Sequence, residues 1–310
     1  MDNRPVAAAL SILGAMAVVG FIDSFVVIIA AEAGLWQFHL VRSLMSLPLI
    51  LAVVTLGFGR IRPVSWAGVV GRSATLTLSM MLYFASLGVL PIAQVVAGLF
   101  TSPIFVLLLS ALVLRQRIGP VRIAAAASGF LGVLLILKPD LATLSFSTLM
   151  PILAGFFYAV TALATRTWCR HEHALTLVAG NFAGLALAGA AGLIVLAVAP
   201  QPVGEGANAF LLTGWVAPTA VFLFWTLVQA VGSILAVFLI VRGYQLGEAS
   251  YVGIFEYSLL VFVVAWSFVL FGEVVDPVAA LGIVLIVASG TVIAVRGRAA
   301  EARALAEPAR

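Results

Sequence analysis

GEASYVGIFEYSLLVFVVAWSFVLFGEVVDPVAALGIVLIVASGTVIAVR, residues 247–296, decides the fold. It holds two apolar runs, Ala249 to Phe271 and Val275 to Arg296, joined at an Asp276-Pro277 turn signal. Each run is long enough to cross a hydrocarbon core of about 30 Å, which takes roughly 20 helical residues. Within the first run sits a carboxylate, in Phe255-Glu256-Tyr257. A charge inside such a segment costs roughly 2.5–3.5 kcal/mol on insertion scales, so Glu256 is a functional candidate from the start.

The rest of the chain repeats that pattern. Of 310 residues, 64% are hydrophobic and 9% charged. Soluble domains carry about 25% charged residues, so a soluble protein is excluded and an all-α, polytopic membrane protein is expected. Ten transmembrane helices are predicted, at 7–31, 35–57, 67–88, 91–114, 120–137, 147–166, 174–199, 211–241, 249–271 and 275–296. Loops are short and marked by Gly and Pro. The run from Val6 to Ala31 is too long for a signal sequence and contains Asp23, so it reads as an uncleaved first span. A single cysteine, Cys169, rules out an intrachain disulfide.

Cations set the orientation. Of the sixteen Lys and Arg residues, one set of predicted helix ends holds all but Lys138, at the opposite ends, and Arg42, inside a span. Positive ends face the cytoplasm, so both termini are expected there. The same distribution excludes a nucleic-acid patch, because the arginines fall at span ends.

The chain also repeats internally. Shifted by half its length, Leu90 to Leu137 lies on Gly247 to Ala294 without a gap. Phe105 meets Phe262, Ser110 meets Ser267, Gln116 meets Glu273 and Pro120 meets Pro277. The expected organisation is a first repeat over 1–140, a second over 141–297 and a cytoplasmic tail over 298–310. Five spans per half make the second half enter upside-down, an inverted repeat typical of secondary transporters.

Leu90 to Leu137, with Pro103 and the turn from Arg115 to Pro120, resembles the EamA repeat of the drug/metabolite transporter superfamily. So does Phe271-Gly272-Glu273 with Pro277, Gly282 and Gly290. Gln116 departs from the acidic residue usual there. Asp23, Arg42 and Phe255-Glu256-Tyr257 are similar to a bacterial subgroup that includes S-adenosylmethionine and riboflavin carriers. The resemblance implies a ten-helix secondary transporter of the bacterial inner membrane. Its substrate would be a small organic metabolite, amino-acid-like, nucleoside-containing or vitamin-like. An amino-acid or drug exporter of the same family is the alternative.

Four ionisable side chains lie inside the predicted spans: Asp23, His39, Arg42 and Glu256. Asp23 and Arg42 fall at matching depth, about 11–12 Å below the outer surface at 1.5 Å per residue. The simplest reading is an ion pair, either a lock between two helices or a gate that anchors substrate. His39 lies one turn from Arg42. Glu256 lies about 12 Å from the inner surface, with no cation predicted at its depth. It must face a cavity, find a polar partner or stay protonated, as an anchor for substrate or the driving proton, or as a structural hydrogen bond. Tyr83, Gln94, Tyr158, Asn181, Gln229 and Tyr257 are uncharged groups at depth, which must face protein or water. Trp36, Trp66, Trp168 and Trp215 fit an interfacial belt, whereas Trp225 and Trp266 lie deeper, where they either line a site or pack. Gly180 and Gly184 predict a close helix approach.

An intramembrane enzyme finds no motif: neither His-Glu-x-x-His nor Gly-x-Ser-x-Gly occurs. A channel would need a continuous polar stripe, and no Walker loop is present. No cofactor or metal is expected; Cys169, His171 and His173 mimic a cluster in a short loop. The expected partners are a small-molecule substrate, protons and the lipid bilayer, in a monomer or homodimer.

Overall fold

In the computed structural model the described residues are 4–87, 89–140, 142, 145–203 and 207–306, and among them there is no strand. The helices are α1 (Pro5–Asp23), α2 (Val26–Glu32), α3 (Leu35–Thr55), α4 (Trp66–Leu87), α5 (Ile92–Leu99), α6 (Ser102–Leu112) and α7 (Pro120–Leu137). They continue as α8 (Leu149–Thr167), α9 (Ala174–Val198), α10 (Ala207–Leu212), α11 (Ala220–Leu246), α12 (Ala249–Val252), α13 (Ser258–Phe271) and α14 (Pro277–Ala306). Nine helical stretches among the described residues are long and apolar enough to cross a membrane, with α1–α2, α5–α6 and α12–α13 each counting as one. The helix missing from that set is α4, whose 22 residues would span but carry Arg72 and five Ser or Thr.

Two boundaries differ from expectation. The eighth span begins at Ala220, not 211, because Thr213 to Thr219 is extended. Pro218 bars the αR conformation at Ala217, and the Thr219 hydroxyl then caps the helix by accepting from Phe222 N at 3.1 Å. At the other end, α14 continues to Ala306, into the stretch read as a tail; residues 307–310, with Arg310, lie outside the described residues.

Three spans are broken in mid-course, and each break satisfies its own carbonyls, as hydrocarbon demands. Between α1 and α2, Ser24 Oγ donates to Gly20 O at 2.9 Å, and Gln229 Nε2 donates to Ile22 O at 2.7 Å. Between α5 and α6, Thr101 Oγ1 donates to Gly98 O at 2.6 Å. Pro103 follows as the second residue of α6, where its missing N–H costs least. Between α12 and α13 runs a 3-10 segment, Gly253–Tyr257, in which Ser258 Oγ donates to Phe255 O at 2.6 Å.

Thr101 and Ser258 are equivalent under the sequence shift, as are their acceptors Gly98 and Phe255. Span ends follow suit: Gln116 N donates to Ser110 O at 3.0 Å, and Glu273 N donates to Ser267 O at 3.4 Å. The equivalent rings of Phe100 and Tyr257 stack on one another, with centroids 6.2 Å apart.

Packing is between halves. The closest pairs are α7 with α14, α1 with α11, α4 with α8, and α3 with α9. Helices α7 and α14 meet backbone to backbone: a Cβ at Gly132 would lie 2.6 Å from Gly282 O, and one at Gly282 equally close to Gly132 O. The Gly180-Gly184 face of α9 behaves as expected, with Gly180 against Ser73 and Gly184 against Thr77 of α4.

Candidate functional site

The helices α1, α3, α4, α8, α9 and α11 surround a cavity of about 220 Å³. Its walls are apolar at Leu76, Met80, Phe182 and Leu185, and polar groups gather at two ends.

Asp23 and Arg42 form one end. Asp23 is presented by the break after α1, beside the Gln229 side chain. The Arg42 guanidinium is spoken for: Nη2 lies 3.1 Å from His39 Nδ1, and the group sits over the rings of Phe38 and Phe182 at 4.7 and 5.9 Å. Since Arg can only donate, His39 Nδ1 accepts, and a neutral ring carries its proton on Nε2. The expected direct ion pair is therefore not formed; the two charges attract across the cavity without a hydrogen bond. Tyr83 stands within electrostatic range of Asp23, edge-on to Phe84. Asp23 also lines a second, shallower cleft with Ser24, Ser267 and Glu273, between the first and ninth spans.

Arg72, Tyr158, Thr161, Thr165 and Tyr244 form the other end. Here the sequence reading needs correction. Arg72, assigned to a helix end, is only 3% exposed. Its Nε donates to Thr165 Oγ1 at 3.0 Å and its Nη1 to Leu177 O at 3.4 Å. At six residues into α4 it lies about 9 Å beyond the start of that helix, too deep for an interfacial cation. Glu256 therefore does have a cation near its depth. Between them stands Tyr158, whose hydroxyl donates to Glu256 Oε1 at 2.9 Å and feels both charges. Tyr244 brings a second hydroxyl to the same carboxyl group, just outside hydrogen-bonding geometry in this conformation. Glu256, 5% exposed, thus sits behind a tyrosine pair that itself lines the cavity.

Asn181 lines the cavity, and its side-chain oxygen has no hydrogen-bond partner among the described residues. In a buried amide such an acceptor is left for a ligand or for water. The remaining expected site residues do other work. Gln94 Nε2 ties the fourth span to Asp140 O at 2.9 Å. Tyr257 packs against Phe100 and Gly129. Trp266 Nε1 donates to Ala17 O at 3.0 Å, edge-on to Phe21. Reading the chain alone missed Arg72, Thr161 and Thr165. The usable signal was an arginine at every fourth-residue register with Ser and Thr, which marks a polar stripe down one face of α4 rather than a terminus.

Comparison with known proteins gives one family: residues 6–138 match the EamA-like transporter family. A riboflavin transporter of Rhizobium johnstonii is 27% identical over 265 residues, covering 85% of this chain and 80% of its own. A riboflavin transporter of Vibrio cholerae is 30% identical, covering 64% of this chain and 61% of its own. The pseudopaline exporter CntI of Pseudomonas aeruginosa is 28% identical over 68% of each chain. A solved crystal structure superposes with a TM-score of 0.75 over 95% of this chain and 99% of its own, at 17% identity, a likeness of fold.

Proposed function

The chain carries an EamA-like transporter domain over residues 6–138, and from that premise we propose a secondary transporter that moves a vitamin-like or nucleoside-like metabolite by alternating access. The single observation that carries this reading is the polar-ended cavity enclosed by apolar helices. Charged groups inside a membrane protein are costly and are kept where they meet a ligand or one another.

The ten-span inverted repeat is supported by the packing. Exchanging the halves turns the α1–α11 contact into α8–α4 and maps α3–α9 and α7–α14 onto themselves. Equivalent helix breaks stabilised by equivalent hydroxyls, Thr101 and Ser258, point the same way. The arginine-rich ends support cytoplasmic termini in a bacterial inner membrane.

For the substrate, three riboflavin-transporter relatives favour a flat heterocycle with an imide-like edge. Such an edge offers carbonyls to Arg42 or Arg72 and an N–H to Asp23 or the open acceptor of Asn181. A hydroxylated tail would suit Thr161, Thr165 and Tyr158. A second reading, export of a zwitterionic amino-acid-like compound, is favoured by the opposite charges of Asp23 and Arg42 on one wall and by the likeness to the pseudopaline exporter. Glu256 serves in either case as the inner anchor of the cycle, coupled to the cavity through Tyr158. Protons are the proposed co-substrate.

Proteoliposome uptake of labelled riboflavin separates the readings. Saturable uptake, lost in Asn181→Ala and Arg42→Gln, is expected. Absence of riboflavin binding and uptake, with wild-type protein folded, would overturn the substrate assignment. Competition by S-adenosylmethionine or amino acids then identifies the class.

A further inference from the structure

Away from the central cavity, at the arginine-rich end of the bundle, lies a separate pocket of about 530 Å³. It is built from the loop before α4, the turn between α8 and α9, and the last turns of α11. Arg60, Arg170 and Arg242 line it, with His173. The one acid there, Glu172, does not neutralise them. Its carboxylate is used up by the chain itself, accepting from Val64 N at 2.9 and 3.0 Å and from Ser65 N at 2.6 Å. Arg242 makes only a 3.4 Å bond to Gln245, and neither Arg60 nor Arg170 has a side-chain hydrogen bond or ion pair among the described residues.

The cations are held together by design of the backbone. Thr176 Oγ1 donates to Arg60 O at 3.1 Å, fixing that loop against α9. Gly59, at φ +124°, brings its backbone flat onto the His173 ring, where a Cβ would collide with the imidazole. Gln245 Nε2 donates to Cys169 O at 3.1 Å and Glu172 O at 2.8 Å, locking the turn that carries Arg170. His173 Nδ1 accepts from Leu175 N at 3.2 Å, so the neutral ring turns an Nε2 proton outward as a further donor. Burial, then Arg60 and Arg242, hold His173 below the usual imidazole range, which marks the local field as positive. Like charges gathered in one rigid pocket repel one another and leave net binding energy for an anion.

We propose that this pocket binds a phosphate group, with Arg60, Arg170 and Arg242 as its charge partners and His173 as a neutral donor. Arginine and phosphate make strong charge-assisted bonds. Phe238 gives the pocket one apolar wall, a turn below Arg242 on α11, so the phosphate would arrive with an apolar attachment. Two sources share this chemistry: the headgroup of an anionic phospholipid, or a soluble phosphate ester. Basic pockets between spans are a recognised form of lipid site. The inference concerns a site remote from the transport cavity and stands whether or not the substrate reading does.

The test measures binding directly, on purified full-length protein in a zwitterionic detergent. Two probes are used, dioleoylphosphatidylglycerol in mixed micelles and inorganic pyrophosphate in solution, with dioleoylphosphatidylcholine as the neutral control. Saturable binding and a raised thermal midpoint with either anionic probe are expected. A response to phosphatidylglycerol alone identifies a lipid site, and a response to pyrophosphate a soluble ester. Arg60→Gln with Arg242→Gln should weaken binding roughly 30-fold, as removal of two cations implies. Arg115→Gln with Arg117→Gln removes the same charge from another loop and should leave affinity unchanged. Arg170→Gln, in a half-buried position, gives an independent single variant with a smaller loss. No saturable binding of either probe, or equal losses in both double variants, would overturn the proposal.

Discussion

Removing one hydroxyl tests the link between the cavity and Glu256. Tyr158→Phe keeps the ring and deletes only the donor that lies 2.9 Å from Glu256 Oε1. Hydrogen bonds between neutral groups in membrane proteins average about 0.6 kcal/mol by double-mutant cycles. A bond to a charged acceptor is worth about 1.5–3 kcal/mol. If Glu256 holds its charge at rest, Tyr158→Phe should therefore cost about 1.5–3 kcal/mol in the natural chain. In a Glu256→Gln background the acceptor is neutral, and the same change should cost only about 0.6 kcal/mol. The difference, about 1–2 kcal/mol, is the share owed to the charge. Reversible unfolding in mixed micelles, titrated with a denaturing detergent, reads all four proteins. Glu256→Gln itself should fold as well as the natural chain or better, because it sheds a buried charge. It should abolish net transport or its pH dependence in vesicles between about pH 5.5 and 8, the window a coupled carboxylate would sense. Equal losses in the two backgrounds would refute a charge held by Tyr158. Natural transport rates with an unchanged pH profile in Glu256→Gln would reduce Glu256 to a structural role.

Asp23→Asn and Arg42→Gln should each lower uptake strongly, and the double variant should recover part of the loss; strictly additive losses would mean the two charges do not communicate across the cavity. A cysteine at exposed Gln201 should react with an impermeant maleimide added to intact cells, while one at exposed His171 should not, and the reverse pattern would invert the orientation. Native Cys169 is no use as such a probe, because it is fully buried and burial, only partly opposed by Arg72, pushes its thiol up to about 11. Only the thiolate reacts, so its labelling should stay slow until pH nears that value or the protein is unfolded, and rapid labelling at neutral pH would contradict the packing. Gly132→Leu should unfold the α7–α14 seam, costing about 1–3 kcal/mol or more through overpacking, measured as a lowered thermal midpoint; an unchanged midpoint would refute the backbone contact.

The bundle was legible because membrane helices announce themselves by length and apolarity, and nine of the helical stretches do so here. The repeat was legible through Pro120 and Pro277, which start equivalent helices. Asp23, Arg42 and Asn181 were found because polar groups at depth are rare. What stayed hidden was rotation about each helix axis. Gln94, Tyr257 and Trp266 lie as deep as the cavity residues but turn toward neighbouring helices. Depth follows from counting residues; azimuth follows only from packing. The eighth span was begun too early for a related reason. Leu211 to Val216 is apolar enough to read as helix, and Pro218 outweighs that composition.

Arg72 has a consequence for how the chain is made. Its helix is the one that hydropathy passes over, and an arginine near mid-helix adds about 2.5–3.5 kcal/mol to the free energy of insertion. The group that receives its Nε proton, Thr165, is synthesised 93 residues later. At 5–20 residues per second that is a delay of roughly 5–19 s. Over that interval α4 must wait at the translocon, or against α3, with its guanidinium unsatisfied or snorkelling to a headgroup. Folding of the first half is then completed by the arrival of α8 from the second, so the two halves cannot mature as independent units even though each is a copy of the other.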